Sequence, residues 1–390
     1  MLVECHADVS AQKKDKSTAL HLSSRNGHVN LARMLVRRGA DLSAQDEDGS
    51  TALHCALEID NVDLAWMLTE SGTDLSAQKR DGWTALHLAS RNGHVDLARM
   101  LVLRGADLSA QNEERWSALH LALENRHVDL AQMLIESGAN VSAQKKDGST
   151  ALHLASCYGY VDLARMLVEK SADLSAQKKD GWTALQLALE YGHVDLARML
   201  IEHGAGVSAQ TEDGWTDLHL ASRNGYMDLA RMLIEHGADM SLQKNDGWTA
   251  LHLAFHNDHV DLAQMLIERG ANVTAQTEDR WTGLHLASHN GHMDLARMLV
   301  ERGADASAHT EDRWTALHLA SRMGHMDLAR MLLEHGADVS AQNKHGWTAL
   351  NLASENGHMG LTRMLAEHGA DMSVLEEVRV DHMQASHGCP

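Results

Sequence analysis

Apolar residues along this chain recur in two alternating patterns, both at helical spacing. In residues 77–109 the stretch "TALHLASRN" sets Leu86, Ala89 and Ser90 on one face, with Thr84 placed to cap a short helix. After a break at Gly93, "HVDLARMLVLR" sets Val95, Leu97, Ala98, Leu101 and Val102 on a broader face. Gly105 then stands where a left-handed residue ends a helix. Ahead of the pair, "AQKRDGW" carries turn chemistry with Asp-Gly at its tip. The pattern predicts a turn, a short helix, a second turn and a longer helix.

That unit returns without insertion or deletion. The histidine after "TAL" occupies 21, 54, 87, 120, 153, 219, 252, 285 and 318, with Gln186 and Asn351 filling the two other places, always 33 residues apart. Met34 through Met364 keep the same step in eleven copies. The length of 390 residues would by itself suggest two or three globular domains. An internal period replaces that expectation with a linear array. Two helices of this size have too little interior to bury their own apolar faces, so each unit depends on its neighbours. With helices packed roughly 8–10 Å apart, eleven units predict a curved rod on the order of 100 Å long.

The finger-like turn, "TALHLA", "NGH" and "GADLSAQ", together with the period, resemble the ankyrin repeat family over about residues 7–373. The fold implied is an all-α solenoid of helix-turn-helix units carrying β-turn or hairpin fingers. The organisation expected is a partial repeat over 1–15, eleven repeats over 16–373, and a cap or tail over 374–390. One departure is systematic: T-A-L-H replaces the family's T-P-L-H, and the only proline is Pro390. A compatible proline is worth about 0.4–1 kcal/mol, whereas alanine remains a good helix former. Asp217 at one of these alanine places suits the positive end of a helix, and Gly283 at another should weaken its unit.

The chain opens in mid-repeat, which points either to a piece of a larger protein or to a first unit that frays. A weaker period of 66 lies over the first. The residue after "LA" runs Ser24, Leu57, Ser90, Leu123, Ser156, Leu189, Ser222, Phe255, then Ser288, Ser321 and Ser354. The inter-helix glycine is replaced at Asp60, Arg126 and Asp258. Growth by copying pairs of repeats explains this, and so does an alternation in core packing.

Composition narrows the function. The net charge of −20 argues against nucleic acid and anionic membranes as general partners. It is uneven, −6 over residues 1–200 and −14 over 201–390, so a basic partner meets the stronger field in the second half. No run of 18 apolar residues predicts a membrane span, and the N-terminus lacks the order of a secretory signal. Cys5, Cys55, Cys157 and Cys389 are scattered, as in a reduced intracellular protein, cytoplasmic or nuclear.

Candidate chemistry is sparse. Nine aligned histidines suggest metal or acid–base work, but a closed zinc site needs ligands converging on one point, and these spread along an array. The family resemblance implies that they tie the turn to the helix start. The second series, from His28 to His358 at the inter-helix turn, takes the same structural reading. No nucleophile elbow, phosphate loop or HExxH stands in the chain, so no enzyme and no cofactor are expected. Asp96 and Arg99, three apart, look like a helix-surface ion pair worth about 0.2–0.5 kcal/mol. The methionine series fits core filling better than an adaptable binding surface.

What varies between units is the finger tips and short helices, which the resemblance implies line a partner-binding concave face. Early fingers are basic, such as Lys79-Arg80-Asp81, Lys145-Lys146-Asp147 and Lys178-Lys179-Asp180. Later ones are acidic: Thr211-Glu212-Asp213, Thr277-Glu278-Asp279 and Thr310-Glu311-Asp312. The chain has one Phe and four Tyr but nine Trp, eight of them at the root of a finger: Trp83, Trp116, Trp182, Trp215, Trp248, Trp281, Trp314 and Trp347. A repeat step of roughly 8–10 Å is too wide for these rings to stack on one another. Two compatible roles follow, shielding of the finger and direct contact with a partner. The function expected is non-catalytic binding of a protein of basic or mixed charge, centred on the unbroken run Trp182–Trp347, with the oligomeric state open. The alternatives are a regulatory module of a larger signalling, channel, kinase or ubiquitin-ligase protein, and a spacer array with no fixed partner.

Overall fold

A computed structural model describes residues 8–373 and divides at Ala205/Gly206 into two compact units. The expected C-terminal cap or tail and the first seven residues of the opening partial repeat lie outside the described residues. Twenty-two helices are described, alternately short and long, six pairs in the first unit and five in the second. Beside them stand only isolated bridges, at Gln12–Thr18, Gln177–Thr183 and His309–Thr315. Within each unit, short helices pack on short and long on long.

The short helix Ala85–Asn92 shows why the sequence folds this way. Thr84 is extended at φ −105° and ψ 168°, and its Oγ1 accepts from the His87 N–H. The Thr84 N–H donates to His87 Nδ1 at 3.1 Å, so two otherwise orphaned donors are satisfied reciprocally. All eleven short helices start with this box; Ser117 replaces the threonine once, and Gln186 and Asn351 replace the histidine. Gly93 ends the helix in the left-handed region at φ +81°, and the long helix Val95–Leu103 follows. Leu86, Ala89, Leu97, Ala98 and Leu101 are buried, each leucine contributing about 1.5–3 kcal/mol. Val95 and Val102 are only half-buried, so the core face of the long helix is narrower than its apolar pattern.

The 66-residue period is an alternation in packing. Long helices of the repeats carrying Leu57, Leu123, Leu189 or Phe255 bury their methionine and the residue two places on, as with Met133 and Ile135. Those of the repeats with Ser90, Ser156, Ser222 or Ser288 bury neither. The methionine series therefore splits: Met67, Met133, Met199, Met265, Met331 and Met364 are core, while Met34, Met100, Met166, Met232 and Met298 are partly exposed. Core filling holds for about half of it.

The inter-helix turn follows this alternation in part, with glycine kept at Gly192 in the Leu189 repeat. A Cβ on Gly93 would lie 2.7 Å from the ring of His127, whose Nε2 donates to the Arg91 carbonyl at 3.0 Å. Where glycine is replaced, the backbone stays left-handed, at φ +60° for Asp60 and +63° for Asp258. Their carboxylates instead face the histidine of the next repeat, His94 Nε2 at 2.5 Å and His292 Nε2 at 2.6 Å.

Three local expectations change. Asp217 does open its helix, but it is fully buried with neither carboxylate oxygen hydrogen-bonded, and burial pushes its pKa up to about 8. Desolvation outweighs the helix dipole there, whose contribution is typically about 0.3–1 kcal/mol. Gly283 is not simply a weak point, because the Phe255 ring lies 3.2 Å from where its Cβ would stand. The larger aromatic and the missing methyl fit each other. Asp96 and Arg99 form no ion pair; both side chains line a groove between successive long helices.

Candidate functional site

The fingers are held by bonds that run from repeat to repeat. Inside one finger, the Lys79 N–H donates to the Trp83 carbonyl at 2.9 Å. Between fingers, the Arg80 N–H donates to the Asp48 carbonyl at 2.8 Å, and Glu113 to Asp81 at 2.9 Å. The second unit repeats this with Glu278 to Asp246 at 2.8 Å and Glu311 to Asp279 at 2.9 Å. The buried Nε2 of His54, His120, His219 and His252 has no hydrogen-bond partner, but elsewhere the capping histidine adds a latch. Its Nδ1 is already an acceptor, so Nε2 carries the proton and donates forward. His87 reaches the Trp116 carbonyl at 3.0 Å, His153 that of Trp182 at 3.1 Å, His285 that of Trp314 at 3.1 Å and His318 that of Trp347 at 3.0 Å.

Burial holds these imidazoles neutral. The pKa of His54, His120, His153, His219, His252 and His285 is lowered to about 4, chiefly by desolvation. Among the described residues, no group of three His, Cys, Asp or Glu is placed to hold a metal ion.

This helix-pair, finger and histidine-latch architecture coincides with five matches to a family model for ankyrin repeats in three copies, covering residues 1–79, 71–145, 137–211, 205–277 and 284–376. The chain belongs to the ankyrin repeat family. A search of curated proteins finds no match to it. Ankyrin repeats are protein-interaction modules, and among the described residues no helix is long and apolar enough to cross a membrane.

In this ankyrin array all eight finger tryptophans are half-buried. Trp83, Trp116 and Trp182 belong to the first unit, and Trp215, Trp248, Trp281, Trp314 and Trp347 to the second. Each indole whose repeat has the histidine meets that ring edge to face, with centroids 5.9 Å apart at Trp83–His87 and 6.0 Å at Trp314–His318. The ring is thus seated on its own finger, as the repeat step requires.

What covers the other face differs from repeat to repeat, and the sequence pattern alone did not show it. Lys145 lies 3.9 Å from the ring centroid of Trp116, the tryptophan of the preceding finger, and Lys244 lies 4.2 Å from that of Trp215. These lysines stand at the first tip position. Where threonine stands there, Thr277 and Thr310 instead accept from the Trp281 and Trp314 N–H groups at 3.0 and 3.1 Å. A threonine turned to its own finger cannot reach back to the preceding one. Trp248 and Trp281 therefore lack lysine cover, and so does Trp314, which precedes Asn343.

Clefts open at that end. One of about 360 Å³ lies between Trp281 and Trp314, with Leu319 as an apolar contact and Asp279, Glu311 and Asp312 along its lip. A second, of about 590 Å³, shares Trp314 and Arg322 and extends to Trp347 and Glu355. Arg322 lies 5.6 Å from the Trp314 centroid. Lys344 pairs with Asp312 at 2.9 Å and holds its carboxyl below the usual range. Burial, with Arg322 nearby, lowers the pKa of His289. The early fingers are less basic than their letters suggest, since Lys79 pairs with Glu58 at 2.5 Å and Lys178 with Asp180 at 3.0 Å.

Proposed function

We propose that this chain is a non-catalytic protein-binding array of eleven repeats over 16–373, and that its contact surface centres on Trp248, Trp281, Trp314 and Trp347. Trp215 flanks this surface under its lysine. Trp182, with Trp83 and Trp116, forms the corresponding row of the first unit. One observation carries the proposal: the lysine cover found on Trp116 and Trp215 is missing where the clefts open between Trp281, Trp314 and Trp347. A partner side chain entering there gains about 25 cal/mol per Å² of apolar area covered. The carboxylates of Asp279 and Glu311 favour a partner of basic or mixed charge, in line with the −14 carried by residues 201–390. Four scattered thiols support a reducing, intracellular setting.

The test is affinity capture with mass spectrometry, wild type beside a Trp248→Ala, Trp281→Ala, Trp314→Ala variant. Half-buried rings at the finger root leave the helix pairs intact, so helical content should be unchanged while specific partners are lost. Equal recovery of the same partners by both proteins would sink the proposal.

A further inference from the structure

The ninth tryptophan, Trp66, is not on a finger. It stands on the long helix Val62–Glu70, whereas each of the other eight precedes a short helix. At its place in the repeat the ten other units carry eight Arg and two Gln. One unit later, Leu103 ends the long helix Val95–Leu103 where nine units have Glu and one has Arg. Trp66 is 37% exposed and Leu103 81%. These two departures from a near-uniform array converge on one groove of about 430 Å³, lined by Trp66, Asp96, Arg99, Met100, Leu103 and Arg104.

The second unit supplies an internal control. Between its long helices Met227–Glu235 and Val260–Glu268, the matching groove is lined by Arg231, Asp261, Gln264, Met265, Glu268 and Arg269, with Met227 beside them. Arg231 stands for Trp66 and Glu268 for Leu103, 165 residues on, which is five repeats. The ordinary form of this groove is polar and the Trp66–Leu103 form is apolar, so the stacking of repeats does not require those two residues.

We infer that the Trp66–Leu103 groove is a second interaction surface, and that it takes an amphipathic helical segment with large apolar side chains flanked by acidic residues. The acidic preference follows from local charge. The charged residues that line the groove are Arg99 and Arg104 against Asp96, a net positive site on a chain of −20. Arg104 donates to the Thr69 carbonyl at 2.7 Å, a neutral acceptor that leaves its charge uncompensated. A second copy docking groove to groove would set these arginines against each other, which disfavours self-pairing.

The experiment uses the full chain and two labelled peptides of about 16 residues, four helical turns, sharing one Leu/Phe stripe but flanked by Glu in one and Lys in the other. Affinities are read by fluorescence anisotropy for wild type, a Trp66→Arg, Leu103→Glu variant, and a Trp281→Ala, Trp314→Ala variant. The first variant carries residues that other repeats hold at those places, so it folds; circular dichroism checks this. The Glu-flanked peptide should bind wild type about tenfold or more tighter than the Lys-flanked one, lose about tenfold or more on W66R/L103E, and be unaffected by the finger substitutions. Equal binding of the two peptides, failure of both to bind, or full binding to W66R/L103E overturns the inference. Concentration-dependent self-association in sedimentation, abolished by W66R/L103E, would assign the groove to a second copy and equally overturn it.

Discussion

Asp217→Ala should stabilise this protein, and by an amount that depends on pH. The carboxyl is fully buried, neither oxygen has a hydrogen-bond partner, and its pKa is raised from 3.8 to about 8. A raised carboxyl pKa means that the folded state holds a proton which the unfolded chain releases above its own pKa of 3.8. Stability is therefore lost as pH rises from the unfolded value towards the folded one. Holding that proton at pH 7, about 3 units above the unfolded pKa, costs about 4 kcal/mol at about 1.4 kcal/mol per unit. Alanine fills this place in nine other repeats, so the variant introduces nothing foreign to the fold. Urea unfolding of wild type and D217A, followed by circular dichroism, would be compared near pH 4.5 and near pH 7.5, about 3 units apart and equivalent to about 4 kcal/mol. The histidines are common to both proteins and cancel in the comparison. Because repeat arrays can unfold in steps, hydrogen exchange in the helix Asp217–Asn224 localises the effect. An equal gain at both pH values, or no gain, would refute the assignment of a buried, protonated carboxyl.

Other outcomes follow from the same geometry. Acid should unfold the array by a separate route: the six imidazoles held near 4 contribute stability that is present above about pH 6.5 and lost as pH falls towards 4, so urea midpoints of D217A itself should fall across that window. A flat profile there would show that the imidazoles are solvated. Gly93→Ala should cost more than Gly105→Ala, because both residues have positive φ but only the first Cβ meets a neighbouring ring, at 2.7 Å from His127. The common backbone strain is about 1 kcal/mol, and the difference between the two unfolding midpoints isolates the clash. Gly283→Ala alone should stabilise by less than the roughly 1 kcal/mol expected in a helix, or destabilise, whereas the pair with Phe255→Leu should recover it. Additive effects of the two changes would show that the ring and the missing methyl are not coupled.

The period and the helix caps were legible because each depends on residues close together in sequence and repeated in every unit. Thr84, His87 and Gly93 announce a helix start and end wherever they occur. What the letters hid lies between units. Asp217 reads as a good helix opener until the packing around it excludes water. Lys145 reads as a basic finger tip, yet its ammonium lies over the ring of the preceding finger, and only the spacing of neighbouring fingers shows that Thr310 at the same place cannot do this. Trp66 and Leu103 are each a single oddity in their own repeat. They become a groove only because successive long helices bring position 66 beside position 103. The methionine series misled for the opposite reason: identical letters sit in two packing environments that alternate with the neighbouring short helix.

The seating of six of the eight finger indoles against their own imidazoles also gives the molecule an optical property. Emission from a ring fixed about 6 Å from a histidine reports on whether that one repeat is closed, since the pair separates as soon as its finger lifts. A set of variants, each retaining a single finger tryptophan, would turn the row into a position-resolved gauge. The order in which those signals change during unfolding would reveal where along the chain the array comes apart first.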